Sequence, residues 1–127
     1  ADKEIIKWAR RWRKMVGGGM RQSGVLAAAG IYALDNHVKR LAIDHANAKV
    51  LAERLQDIPQ LSINKDLVQT NMLFVKTDME MATNLANHLK QHNIIIIPSE
   101  TMRWVMHLDV TSSDVKFVSE KVKEFFA

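Results

Sequence analysis

The sequence contains no cysteine, two prolines, one tyrosine and, after position 30, no glycine. The lack of cysteine excludes a disulfide framework, a thiolate zinc site and a cysteine nucleophile. It fits a reducing, cytoplasmic setting. Nowhere do about 18 apolar residues run together, the length a spanning helix needs, so no membrane partner is expected. No basic region, apolar stretch and small-residue cleavage site follow one another at the start, so no secretion signal is expected. Also missing are a Ser-His-Asp or Cys-His signature, a paired-carboxylate motif, a dinucleotide fingerprint and a Walker loop.

What is present is uneven. The 127 residues are 47% hydrophobic, enough to bury a core on the scale of one ordinary domain. All five glycines (Gly17, Gly18, Gly19, Gly24, Gly30) fall in the first 30 positions. Residues 1–21 carry seven bases against Asp2 and Glu4, whereas residues 22–127 carry 11 bases and 12 acids. The excess charge therefore belongs to one short segment, and no nucleic-acid partner is expected from it.

Residues 3–15 read as an amphipathic helix, with Ile5, Trp8, Trp12 and Met15 on one stripe and only Asp2 able to cap it. Gly17-Gly18-Gly19 stops it. Residues 23–34, rich in Ala and Gly, read as a buried helix suited to a subunit boundary, with a break at Asp35-Asn36. Residues 37–57 form a further helix on the stripe Val38, Leu41, His45, Ala48, Ala52 and Leu55, ended by Pro59. A short strand is expected at 61–63 and a longer one at 68–76. Residues 80–92 read as helix with Ala82, Leu85, Ala86 and Leu89 inward, and Asn93 in a left-handed terminal position. A buried strand is expected at 94–97, closed by Pro98, and another at 102–110. Thr111 or Ser112 then caps a last helix with the stripe Val115, Val118, Val122 and Phe125. The pattern predicts an α+β fold, helices packed on a small, mostly antiparallel sheet.

Three groups are candidates for chemistry. The loop from Lys14 through the glycines to Arg21 and Ser23 combines cationic side chains, exposable amides and a helix start, the ingredients of a phosphate or carboxylate site. A flexible turn beside a solvated basic helix would give the same pattern. Strand alternation over 102–110 puts Arg103, Val105, His107 and Asp109 on one face and Met102, Trp104, Met106 and Leu108 on the other. Arg103 could grip a carboxylate through two parallel hydrogen bonds, or be only an exposed strand arginine. His88 and His92 have the i, i+4 spacing of two metal ligands, but no HExxH surrounds them and no third ligand is indicated. No metal site is expected; a solvated helix face accounts for the pair.

The segment RRWRKMVGGGMRQSGVLAAAG at 10–30 resembles the low-specificity L-threonine aldolases. The resemblance continues through Asp44-His45-Ala46-Asn47-Ala48, Gln69-Thr70-Asn71-Met72-Leu73-Phe74-Val75 and Met102-Arg103-Trp104-Val105-Met106-His107-Leu108-Asp109-Val110. These enzymes use pyridoxal phosphate on an aspartate-aminotransferase-like, type I fold. The resemblance implies a C-terminal fragment: residues 1–36 as the last helices of the large, cofactor-binding domain, and 37–127 as the C-terminal small domain. It implies cleavage of L-threonine or L-allo-threonine to glycine and acetaldehyde. It also implies that the Schiff-base lysine is not among these residues, so no catalytic residue is assigned and the fragment alone is expected to be inactive. By the same resemblance Arg103 holds the substrate carboxylate, and Lys14 and Arg21 reach the cofactor phosphate. Expected partners are the amino-acid substrate, the rest of the large domain, and further copies in a homodimer or homotetramer. The competing expectation is a free-standing interaction domain that binds an anionic partner through its basic N-terminal segment.

Overall fold

The computed structural model describes residues 1–127. The elements in order are α1 (Lys3–Met15), α2 (Gly24–Asn36), α3 (Leu41–Leu55), a single 3-10 turn (Lys65–Leu67), β1 (Met72–Lys76), α4 (Met79–Gln91), β2 (Thr101–Val105) and α5 (Ser112–Phe126). The chain divides into two compact units, Ala1–Val38 and Lys39–Ala127. None of its helices is long and apolar enough to cross a membrane.

In the first unit, the Asp2 side chain accepts the Ile5 amide and caps α1, as the sequence predicts. The far end of α1 is closed by a pair of backbone bonds. The Gly18 amide donates to the Arg13 carbonyl at 2.7 Å and the Gly17 amide to the Lys14 carbonyl at 3.3 Å. With Gly17 at φ +85°, this is a Schellman motif, which satisfies carbonyls the helix end would leave open. The stripe Ile5, Trp8, Trp12 and Met15 is exposed, and the Arg11 guanidinium lies 5.6 Å from the centre of the Trp8 ring.

The second helix departs from expectation. It runs unbroken through Asp35 and Asn36, whose side-chain amide donates back to the Tyr32 carbonyl at 2.8 Å. It buries no residue, although burial was predicted from its small side chains. Small residues permit close approach, but burial also needs a covering surface.

The second unit is a two-layer α+β arrangement. The strands β1 and β2 pair antiparallel, Leu73 opposite Trp104 and Val75 opposite Met102, and these four side chains form the buried face. Helix α3 packs against β1 and α5, and α4 against α5. The core joins Leu51 and Leu55 of α3, Leu85 and Leu89 of α4, and Val115 and Val122 of α5 to the sheet. Fully burying one such side chain contributes roughly 1.5–3 kcal/mol. The predicted strand at 61–63 survives as one antiparallel bridge, Ser62 to Lys76.

Several boundaries and faces differ from the sequence reading. Residues 37–40 form turns, and α3 begins at Leu41 with a buried face of Asp44, Asn47, Ala48, Leu51, Ala52 and Leu55. Val38 and Leu41 are exposed and His45 is half-buried, because two buried polar residues carry the start of the inner face. Only 72–76 of the 68–76 strand is strand; residues 68–71, which follow the 3-10 turn, belong to no regular element. β2 ends at Val105. The Met106 amide still donates to the Asn71 carbonyl, after which the chain turns and Leu108 is exposed rather than core. Residues 94–97 form no strand; Ile95 and Ile97 are 86% and 84% exposed, while Ile94 and Ile96 pack on the core. Asn93 does adopt the left-handed conformation, at φ +60°.

Candidate functional site

Arg103 lies in the middle of β2, opposite Phe74, on the face turned away from the core. It opens onto a cavity of about 510 Å³. Residues 94–97 and 103–107 line this cavity together with Leu51, Val110, Val115 and Val118. Residues from both faces of β2 contribute, so the cavity runs along the edge of β2 that β1 leaves unpaired. The isoleucine segment borders that space without bonding to the strand. Strand-forming residue types do not make a strand by themselves: without ladder bonds to β2 this segment is not one.

The lining is mainly apolar, with Arg103, His107 and Ser99 as polar exceptions. An apolar recess with a few polar groups is the usual form of a small-molecule site. The Arg103 guanidinium forms no ion pair and no side-chain hydrogen bond within the chain. Its five donors are thus open to a planar anion. His107 is set in a turn: its Nδ1 accepts the Asp109 amide at 3.3 Å and lies 3.7 Å from Asp109 Oδ2. An acceptor Nδ1 leaves the proton on Nε2 in the neutral ring. Asp109 shares this turn, not a strand face with Arg103.

In the N-terminal unit, Lys14 and Arg21 flank the glycine loop and both are exposed. The loop differs from a phosphate cradle in one respect. The Gly17 and Gly18 amides are engaged in capping α1, so the loop offers an anion two cationic side chains rather than a full nest of amides. Gly19 has its own reason. A Cβ there would lie 2.8 Å from Lys14 Nζ, so the bare glycine lets the lysine side chain fold across the loop. The following helix starts without a side-chain cap.

The beta-eliminating lyase family model matches residues 1–78, more than half of the chain. The chain belongs to the beta-eliminating lyase family. It is 47% identical to the low specificity L-threonine aldolase of Escherichia coli (strain K12) over 126 residues, which is 99% of the chain and 37% of that protein. It is 37% identical to the probable low-specificity L-threonine aldolase 2 of Arabidopsis thaliana over 130 residues, and 39% identical to aldolase 1 of that plant over 123 residues. The chain spans little more than a third of the length of these relatives: 37%, 37% and 34%.

Within this member of the family, sequence reasoning passed over two features. The Trp104 indole Nε1 is buried without a hydrogen-bond acceptor, on a residue that lines the Arg103 cavity. Nothing in a strand pattern reveals whether an indole N–H finds a partner. The second is Glu124, which the packing of α4 on α5 brings beside His88 and His92. It lies 32 residues beyond His92 and belongs to no local motif.

Proposed function

We propose that this chain forms the C-terminal portion of a pyridoxal-phosphate-dependent L-threonine aldolase. In that reading the enzyme cleaves L-threonine or L-allo-threonine to glycine and acetaldehyde. The observation that carries it is the 47% identity to an aldolase over 99% of the chain, a span that includes all the candidate residues. The unpartnered Arg103 beside an apolar recess supports it, because an amino-acid substrate presents a carboxylate that guanidinium binds in a fixed, bidentate orientation.

The donor set also fits the cofactor. Lys14 and Arg21 are exposed cations on one glycine loop, suited to a phosphate dianion, and Gly19 gives Lys14 room to lie across that loop. Pyridoxal phosphate, when bound, supplies an electron sink for the carbanion formed on bond cleavage. The chain's own residues contribute binding and orientation: Arg103 fixes the carboxylate, and Lys14 and Arg21 neutralise the phosphate. No lysine of the chain takes the Schiff-base role in this reading, so the chain by itself does not cleave threonine. The exposed apolar faces of α1 and α2 support further association, with a large domain and with other copies in a homodimer or homotetramer.

The test is a chimera in which this chain replaces the matched segment of the Escherichia coli aldolase. The expected result is acetaldehyde and glycine from L-threonine, with none from the chain alone supplied with the cofactor. A folded chimera that binds the cofactor but leaves threonine intact would overturn the assignment.

A further inference from the structure

We propose that His88, His92 and Glu124 form a binding site for a divalent transition-metal ion, with Zn²⁺ as the best match. His88 lies in the last turn of α4 and His92 is the residue that closes that helix, with their ring centres 5.1 Å apart. Glu124, from the last turns of α5, completes the group. One donor atom from each of the three residues lies within 4.8 Å of the others. A tetrahedral zinc with bonds of about 2.1 Å holds its ligands about 3.4 Å apart, so small side-chain rotations close the site.

The surroundings prepare each ligand. His88 Nε2 lies 3.1 Å from the Lys121 carbonyl oxygen. A carbonyl only accepts, so Nε2 carries the hydrogen and the Nδ1 lone pair is left for a metal. A metal-binding histidine commonly donates its other ring N–H to a carbonyl in this way, which fixes tautomer and orientation. Lys121 Nζ donates to Glu124 Oε2 at 2.6 Å, leaving Oε1 to coordinate. Phe125 packs on the His88 ring at 5.4 Å, and Phe126 on Phe125 at 4.8 Å, restricting ring motion.

Two imidazoles and one carboxylate suit zinc, cobalt, nickel or copper far better than the oxygen-seeking calcium or magnesium. Three protein ligands leave a fourth position for water. None of the three residues lines the Arg103 cavity, so the site is separate from the proposed carboxylate site. Its ligands come from α4, the C-cap of α4, and α5, and a bound ion would pin the C-terminal helix to its neighbour.

Calorimetric titration of the chain with Zn²⁺ tests this, with Co²⁺ absorption as a report on coordination. One ion per chain is expected, with the visible spectrum of a low-coordinate Co²⁺ site and a melting temperature that rises with Zn²⁺ concentration. His92→Gln and Glu124→Gln each weaken binding at least about tenfold, the scale for losing a metal-site partner, while His37→Gln leaves it unchanged. Both substituted residues are at least partly exposed, and unchanged far-UV circular dichroism verifies their folding. Failure to bind Zn²⁺ stoichiometrically, or binding that survives both substitutions, overturns the proposal.

Discussion

Arg40 and Asp44 form an ion pair at the first turn of α3, Nη2 to Oδ1 at 2.5 Å, with the Asp44 side chain only 2% exposed. A carboxylate so buried needs a charged partner, and its place near a helix N-terminus adds a smaller favourable term. Removing one member of a buried pair costs more than the pair contributes, because the other charge is stranded. Arg40→Met is therefore expected to lower unfolding free energy by about 3 kcal/mol, the low end of the range for buried pairs, since Arg40 is partly exposed. Urea denaturation measures it, and an added Asp44→Leu should recover most of the loss.

Asn47 ties α3 to the start of α5. Its side-chain amide donates to the Val110 carbonyl at 3.3 Å, and its side-chain oxygen accepts from Ser112 Oγ at 2.8 Å. Asn47→Ala leaves both groups without this partner and should cost about 1–3 kcal/mol. Ser112→Ala should cost less, because it removes one bond. Equal losses in the two variants would show that the α3–α5 junction does not depend on the amide.

These two residues also show where the sequence stopped being readable. Apolar periodicity finds a buried face only when apolar residues mark it. On α4 and α5 they do, and Leu85, Leu89, Val115 and Val122 are inside as expected. On α3 the inner face begins with Asp44 and Asn47, so the apolar count drifted toward Val38 and Leu41, which are exposed. Local capping chemistry was legible for the same reason that it is local: Asp2, Asn93 and Thr111 all sit where their side chains or backbones predict. Pairing is not local. Four isoleucines have strand character, yet whether residues 94–97 join a ladder depends on the unpaired edge of β2. Arg103 was found as a surface cation, but its recess and the unpartnered Trp104 indole beside it arise only from packing.

Thr111 and Asp114 form a capping box on α5, with each side chain accepting the other's backbone amide. Hydrogen bonds from the Thr111 side chain, then from its backbone, hold the Asp114 carboxyl below its ordinary value of 3.8. A depressed native pKa contributes stability that is fully present above the unfolded value and lost as pH falls through the native one. Stability should therefore drop as pH falls below about 4, and this part of the acid limb should flatten in Thr111→Ala. At neutral pH the same substitution should cost about 0.5–2 kcal/mol, the range for losing an N-cap. Denaturation midpoints at a series of pH values read both effects.

The proposed grip of Arg103 on a substrate carboxylate makes a sharp kinetic prediction in the aldolase chimera. Arg103→Ala should reduce kcat/KM by at least about thirtyfold, since a charge-assisted bond lost from a desolvated partner costs roughly 2–5 kcal/mol. Arg103→Lys should recover only part of this, because an ammonium cannot form the two parallel bonds of a guanidinium. Kinetics unchanged in the alanine variant would remove Arg103 from the site.

The three consecutive glycines can be separated by substitution, because each is needed for a different reason. Gly17 holds φ +85°, where a side chain costs about 1 kcal/mol, so Gly17→Ala should loosen the end of α1. A Cβ on Gly18 would meet the Arg13 carbonyl oxygen at 2.9 Å, the acceptor of Gly18's own amide, so Gly18→Ala should break the cap outright. Both losses should register as reduced helicity by circular dichroism. At Gly19 the nearest atoms belong to the flexible Lys14 side chain, which can move aside. Gly19→Ala should leave helicity intact and, in the chimera, weaken cofactor affinity by displacing the lysine. Equal loss of helicity in all three variants would make the triplet a helix stop and nothing more, and would take Gly19 out of the proposed phosphate site.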